Sequence, residues 1–223
     1  MFSGQNAHRV TAFELHTVLK GVKRGVKMKR VFDFTVSLLL IIILLPVFPV
    51  IGIIIAVDAG SPVIYRQYRV GKDNKLFYIY KFRTMKRGTP LAATSDLAEA
   101  EKYITKSGRF LRKTSLDELP QLFNVLAGDM SFVGPRPLIP EEKEIRNLRK
   151  KYNVYSVRPG ITGLAQVNGR DMLSDEEKAL FDKEYVDKQS FGLDIKILFR
   201  TVMVVLRREN ISEGGEPGNS RKI

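Results

Sequence analysis

A chain of 223 residues with 44% hydrophobic side chains has room for one ordinary domain with a core, and its formal net charge of +13 calls for anionic partners. Cysteine is absent, which excludes disulfides and thiolate metal sites. The only histidines, His8 and His16, lie near the N-terminus, so any metal would be held by oxygen, as Mg²⁺ or Mn²⁺ are.

Residues 1–28 are polar and basic and read as an accessory extension; Met28-Lys29-Arg30 would make an alternative start. From Phe34 to Val57 run twenty-four residues without a charge, more than the roughly 20 that cross hydrocarbon as a helix. Pro46 and Pro49 interrupt the run, and each is expected to remove a helix hydrogen bond and bend the axis. Cations flank both ends: Lys20, Lys23, Arg24, Lys27, Lys29 and Arg30 before, Arg66, Arg69, Lys72 and Lys75 after. A crossing helix cannot place both flanks on the basic side, whereas a segment that enters, breaks at Pro46 and returns can. A kinked span is the alternative. Cations beside an apolar segment suit an anionic lipid surface, and no RNA or DNA motif accompanies them, so nucleic acid is not expected as a partner.

Pro62–Tyr68 and Leu76–Phe82 are β-branched and aromatic, with Gly71-Lys72-Asp73-Asn74 between them, and predict a β-hairpin. Alternation puts Lys81 and Arg83 on one face of its second strand. Residues 87–98 read as a mobile loop, followed by helices over 99–112 and 117–127, the second ending at Gly128. Ser115 and Glu118 have the spacing of a capping box. Pro120 is tolerated only in a first turn, so the helix alternatively starts a residue or two later with Asp117 as its cap. Either way, free N–H groups and the helix dipole favour negative charge at Asp117 and Glu118. A plain helix cap would use the same acids. Arg109, Arg112 and Lys113 before them, and Arg136 in Gly134-Pro135-Arg136-Pro137 after them, supply cations able to hold phosphate oxygens.

Glu141–Lys151 alternates acids and bases as a solvated helix does. Arg158–Arg170 carries three glycines and a proline, which suit either close approach of backbone to a ligand or a tight turn without one. Asp194–Arg208 sets Ile195, Leu198, Val202, Val205 and Leu206 on one helical face, the pattern of an interfacial helix or of one packed on the domain. Residues 209–223 are rich in glycine, serine and charge and are expected to be disordered.

Lys29-Arg30-Val31-Phe32-Asp33, Tyr80-Lys81-Phe82-Arg83-Thr84-Met85, Ser115–Leu122, Gly128–Pro137 and Pro159–Arg170 follow one another in an order that resembles the bacterial sugar transferases, also called small monotopic phosphoglycosyl transferases. Each motif alone is weak; five in order are specific. The resemblance implies transfer of a sugar 1-phosphate from a UDP-sugar to undecaprenyl phosphate with release of UMP, the membrane-committed step of glycan assembly such as exopolysaccharide. It implies Mg²⁺ dependence, with Mn²⁺ an alternative, and a re-entrant helix broken at Pro46. By position, Asp117 would be the nucleophile of a covalent phosphosugar intermediate and a metal ligand beside Glu118. Lys81, Arg112 and Arg136 match basic, phosphate-binding positions. An attacking aspartate must be ionised, and a helix N-terminus with Arg112 nearby is expected to depress its pKa.

The chain departs from the family pattern in three places. Leu45-Pro46 stands where Ser-Pro is frequent, Tyr68-Arg69-Val70-Gly71 lacks a common proline, and Leu164 replaces a frequent tryptophan. A non-catalytic adaptor for anionic lipid would leave Asp117-Glu118 without a task, and a conventional nucleotide-sugar glycosyltransferase would need an Asp-x-Asp motif that is absent.

The expected fold is therefore α+β and monotopic, with a proline-broken re-entrant helix, a small β-hairpin and surface amphipathic helices. Its parts are an extension (1–28), a re-entrant helix (29–58), a catalytic part with an interfacial C-terminal helix (59–208) and a tail (209–223). The expected location is the bacterial cytoplasmic (inner) membrane with the catalytic part facing the cytoplasm. Expected partners are a UDP-sugar, undecaprenyl phosphate and an anionic bilayer; the reading also admits a homodimer and downstream glycosyltransferases.

Overall fold

The computed structural model describes residues 12–89, 100–169 and 172–207. The start of the extension, most of the expected mobile loop, Arg170 and the expected disordered tail lie outside the described residues. Helix α1 (Ala12–Leu44) runs unbroken across residue 28, and α2 (Val47–Ala59) follows at a bend of 62°. Pro46 takes the N-cap of α2 at φ −71°, and the residue that ends one helix starts the next. Pro49 behaves otherwise than expected. It falls in the first turn of α2, where an N–H has no intrahelical acceptor to lose, and α2 passes it without a break.

Strands β1 (Ile64–Val70) and β2 (Leu76–Phe82) form the antiparallel hairpin, with Tyr68 opposite Tyr78 and their rings stacked at 4.0 Å. The turn is a short 3₁₀ segment, Lys72–Asn74, in which Asp73 and Asn74 hold the left-handed conformation their short polar side chains tolerate. The helix expected over 99–112 is divided into a 3₁₀ turn (Ala100–Tyr103) and α3 (Lys106–Lys113). Thr105 makes the division, its side chain accepting the Gly108 amide at 2.9 Å as N-cap.

The helix expected over 117–127 is α4 (Gln121–Ala127), which ends at Gly128 as expected, with φ 95°. Parallel β3 (Ser131–Val133) and β4 (Gly160–Thr162) pair in a second small sheet. Helix α5 (Lys143–Lys151) lies between them in sequence, and α6 (Leu164–Val167), α7 (Asp175–Lys188) and α8 (Phe191–Arg207) complete the chain. Helix α5 is not merely a solvated helix, since Arg149 is buried and its Nε donates to Asp182 of α7 at 2.8 Å.

Two glycines of the expected shaped loop, Gly160 and Gly163, serve backbone against backbone. A Cβ on Gly160 would lie 2.1 Å from the Gly134 nitrogen, and one on Gly134 would lie 2.3 Å from the Arg158 carbonyl oxygen. Close approach to the Gly134 backbone accounts for Gly160 and Gly163, and Gly169, at φ 146°, lies against the Leu173 side chain.

The main core gathers Ile41 of α1, Ile79 of β2, Leu122 and Val125 of α4, Phe132 and Val133 of β3, Val167 of α6, Tyr185 of α7 and Ile197 of α8. A second cluster packs Ile51 and Ile55 of α2 against Phe82 and Leu111. The apolar run thus feeds both cores on one side, while Leu39, Ile42, Ile43, Val50, Ile53, Ile54 and Val57 remain exposed on the other. Two of its flanking cations are clamps. Lys29 Nζ donates to Asp194 at 2.7 Å, and the Arg30 guanidinium donates to the Val125 and Leu126 carbonyls at 2.6 and 2.8 Å, closing the C-terminus of α4.

Candidate active site

The site forms where β2 passes the turn between α3 and α4. Ser115, at φ 56°, takes a left-handed conformation and makes no side-chain cap. The expected capping box is therefore absent; one forms instead at Ser174 and Glu177 on α7. Asp117 is not an α-helix cap either. It sits with Glu118 in a 3₁₀ turn, Leu116–Glu118, and Pro120 takes the N-cap of α4. Because proline lacks an N–H and its ring fits the start of a helix, the α-helix begins behind it, and the acids ride on the tighter turn ahead.

Asp117 is buried at 9% exposure, and Glu118 beside it is half-buried. Lys81 Nζ, reaching across from β2, donates to Glu118 Oε1 at 2.9 Å. Arg112, at the end of α3, donates from Nε to Thr84 Oγ1 at 2.9 Å, and its charge acts on Asp117 together with that of Lys81. The expected depressed pKa of Asp117 is overturned. Burial pushes the carboxyl up to about 6, Lys81 pulls it down, Glu118 raises it and Arg112 lowers it. Desolvation wins because the carboxylate loses water on most sides, while the adjacent Glu118 charge offsets part of what two cations return.

Each residue of Tyr80–Thr84 acquires a task. The Tyr80 amide donates to Asn124 Oδ1 at 3.1 Å and Asn124 Nδ2 donates to the Tyr78 carbonyl at 2.7 Å, so α4 completes the free edge of β2. Lys81 reaches the acids. Phe82 enters the second core cluster. Arg83, expected on one face with Lys81, is buried, and its Nη2 donates to the carbonyls of Ala59 and Gly60 at the end of α2. Thr84 orients Arg112 and, through its carbonyl, accepts the Thr105 amide at 3.0 Å. Thr84 and Asn124 were not singled out from the sequence. A polar residue inside the apolar helix Gln121–Ala127 was the available signal for Asn124; Thr84 offered none beyond its place in a motif.

Of the five expected site residues, Lys81, Arg112, Asp117 and Glu118 come together and Arg136 does not. Arg136 lines a cleft with Val70, Gly71, Arg149, Tyr155 and Pro159, and presses on Arg69, whose pKa is lowered to about 10 by burial first and Arg136 next. Arg69 lies opposite Phe77, four residues along β2 from Lys81, a separation of about 13 Å along the strand.

Two adjacent carboxylates, with no cluster of three His, Cys, Asp or Glu among the described residues, make an incomplete cage. That set fits a hard cation that takes its remaining oxygens from substrate phosphates and water, as Mg²⁺ does. It does not fit a closed structural metal site.

The family model described as bacterial sugar transferase matches residues 24–208. The chain is 43% identical over 186 residues to the uncharacterised sugar transferase EpsL of Bacillus subtilis, covering 83% of this chain and 91% of that one. It is also 43% identical over 197 residues to an undecaprenyl-phosphate galactose phosphotransferase of Salmonella typhimurium, covering 82% of this chain and 41% of the relative. A UDP-glucose:undecaprenyl-phosphate glucose-1-phosphate transferase of Escherichia coli is 42% identical over 193 residues, covering 83% of this chain and 41% of its own length. The chain thus spans nearly all of the first relative and about two fifths of the other two.

Proposed function

Because this chain belongs to the bacterial sugar transferase family, we propose that it moves a sugar 1-phosphate from a UDP-sugar to undecaprenyl phosphate, with release of UMP. The observation that carries the reading is the buried Asp117 beside Glu118, with Lys81 and Arg112 converging on the pair. An ionised Asp117 would attack the β-phosphorus of the donor. A carboxylate–phosphorus bond forms, the bond from that phosphorus to the bridging oxygen breaks, and the electron pair leaves with UMP. A phosphate oxygen of undecaprenyl phosphate then attacks the same phosphorus, displacing Asp117 and yielding the lipid diphosphate sugar.

Lys81 and Arg112 would neutralise charge on the phosphoryl oxygens, which is most of what phosphoryl transfer asks of a protein. Glu118, with Asp117, would hold Mg²⁺ or Mn²⁺, and the bound ion would supply further charge neutralisation on the diphosphate. Arg136, in the cleft with Val70 and Gly71 at the turn end of the hairpin, would serve a different part of the donor from the reacting phosphate.

The bent helix pair would dip into one face of the bacterial cytoplasmic membrane and return, leaving the catalytic part on the cytoplasmic side. The 62° bend supports this reading, as do the outward Ile43, Ile53 and Val57, exposed at 67%, 65% and 85%. Each such side chain gains about 1.5 to 3 kcal/mol on leaving water.

Incubating the detergent-solubilised protein with Mg²⁺, undecaprenyl phosphate and a panel of UDP-sugars tests the reading directly. UMP should appear with at least one donor, and with the lipid omitted about one UMP per active site should appear, together with a phosphosugar adduct on the Asp117 peptide. No release from any donor would reject the activity. Release that strictly needs the lipid would reject the covalent route alone.

A further inference from the structure

Asp58 stands one residue from the end of α2, where the helix dipole disfavours an anion, and its carboxylate is exposed. It is nevertheless engaged. Asp58 Oδ2 accepts the Ser107 backbone N–H at 2.8 Å and the Ser107 hydroxyl at 2.7 Å. Ser107 is in the first turn of α3, whose N–H groups lack intrahelical acceptors. Thr105 satisfies the Gly108 amide from within, and Asp58 satisfies the Ser107 amide from another element. The end of α2 is held at two further points, by Arg83 on the Ala59 and Gly60 carbonyls and by Arg87 on that of Ser61. Leu111 of α3 packs against Ile51 and Ile55 of α2 beneath these contacts.

Helix α3 is only eight residues long, and its last turn carries Arg112. A short helix pinned at its N-terminus and seated on α2 has little freedom left at the other end. Its tilt decides where the Arg112 guanidinium sits relative to Thr84 and Asp117. From this geometry we infer that Asp58 is a positioning residue: its carboxylate latches the end of the bent apolar helix pair to α3 and so holds Arg112 in place beside the acidic pair. The inference rests on the proposed reaction for its kinetic consequence. It adds that seating of α2 and competence of the site are coupled through the Asp58–Ser107 contact.

The test compares Asp58→Ala, Asp58→Asn and Ser107→Ala with wild type, using UMP release and amide hydrogen exchange along 105–113. Asp58→Ala removes the oxygen that accepts both hydrogen bonds, so kcat should fall on the order of ten- to a hundredfold, the cost of misplacing a group by about an ångström, with KM for the donor little changed. Asn keeps a carbonyl oxygen for the Ser107 amide and should restore most of the loss. Ser107→Ala keeps the amide contact and should fall between. Adding Ser107→Ala to Asp58→Ala should cost nothing further, because both act on one latch. Exchange at Ser107 and Gly108 should quicken in Asp58→Ala while α7 stays protected.

Unchanged exchange at those amides would overturn the latch. Faster exchange with wild-type kcat would overturn the positioning role, as would equal kinetic losses in Asp58→Ala and Asp58→Asn. If the wild type releases no UMP from any donor, the proposed reaction has failed, and the kinetic role falls with it; an active wild type with an equally active Asp58→Ala rejects this inference alone.

Discussion

At the scale of single residues, the burial of Asp117 sets two opposed demands. Its carboxyl is lifted to about 6 by loss of water, so below that pH the metal-free site holds it protonated and unable to attack. An NMR titration of the Asp117 carboxyl without Mg²⁺ is expected to show a midpoint near pH 6, and a midpoint near 4 would contradict the dominance of burial; bound Mg²⁺ would lower it. The same shift acts on stability with the opposite sense. A carboxyl whose folded pKa exceeds its unfolded value of 3.8 contributes stability below 3.8, and that contribution is lost as pH rises through 6. Asp117→Asn should therefore abolish turnover yet stabilise the fold at pH 8, by on the order of 2 to 3 kcal/mol, with the gain vanishing near pH 4. Urea unfolding of the two proteins at both pH values measures this, and a less stable Asn variant at pH 8 would remove desolvation as the dominant influence. Glu118 faces a different test. Glu118→Gln should keep the fold and raise the Mg²⁺ concentration needed for half-maximal activity, and an unchanged Mg²⁺ requirement would remove it from the ligand set.

At the scale of elements, the local chemistry explains which expectations held. Helix α4 ends at Gly128 because its φ of 95° suits glycine, and its last carbonyls are closed by Arg30 from a helix far away in sequence. Arg30→Ala should lower stability by about 2 kcal/mol through the two carbonyls it leaves, measured by thermal unfolding. The β3–β4 contact is more sensitive. A methyl on Gly134 would meet backbone atoms at 2.3 Å that have no rotamer to yield. Gly134→Ala should cost about 3 kcal/mol or prevent folding, and Gly192→Ala, with nothing near its Cβ, should disturb packing far less. A tolerated Gly134→Ala would mean that the two strands do not approach as described.

At the scale of the whole molecule, the two faces of the apolar run divide its labour. Ile41, Ile51 and Ile55 build the protein core, while Ile42, Ile43, Ile53, Ile54 and Val57 face outward. Helix α8 repeats the arrangement, with Ile197 buried and Phe191, Ile195, Phe199 and Val202 exposed. If the bent pair returns to the face it entered, single cysteines at Lys23 and Lys72 of this cysteine-free chain should react alike with a membrane-impermeant thiol reagent. Labelling of one and protection of the other would establish a crossing instead. Pro46→Ala should lessen the bend and shift labelling toward that crossed pattern, because Pro49 lies in a first turn and does not break α2 by itself.

The amino-acid order alone settles what depends on neighbours along the chain. Proline position set the division of the apolar helix, aromatic and β-branched runs set the hairpin, Gly128 ended α4, and ordered motifs carried the family resemblance. It also named the acidic pair with Lys81 and Arg112. What it could not carry was any quantity that depends on contacts distant in sequence. The pKa of Asp117 escapes a local reading because dipole and nearby cations are legible along the chain, whereas desolvation arises only when β2, α3 and α4 close around the carboxylate. Arg30 and Lys29 read as lipid-facing cations until their partners, Val125, Leu126 and Asp194, were placed beside them by the fold. Arg136 is expected among the phosphate-binding cations from its place after the acids and from the family resemblance, and tertiary packing sets it beside Val70 and Gly71 at the turn end of the hairpin. Sequence proximity bounds only the length of chain between two charges; which water each one loses, and which partner replaces it, is decided by the folded packing.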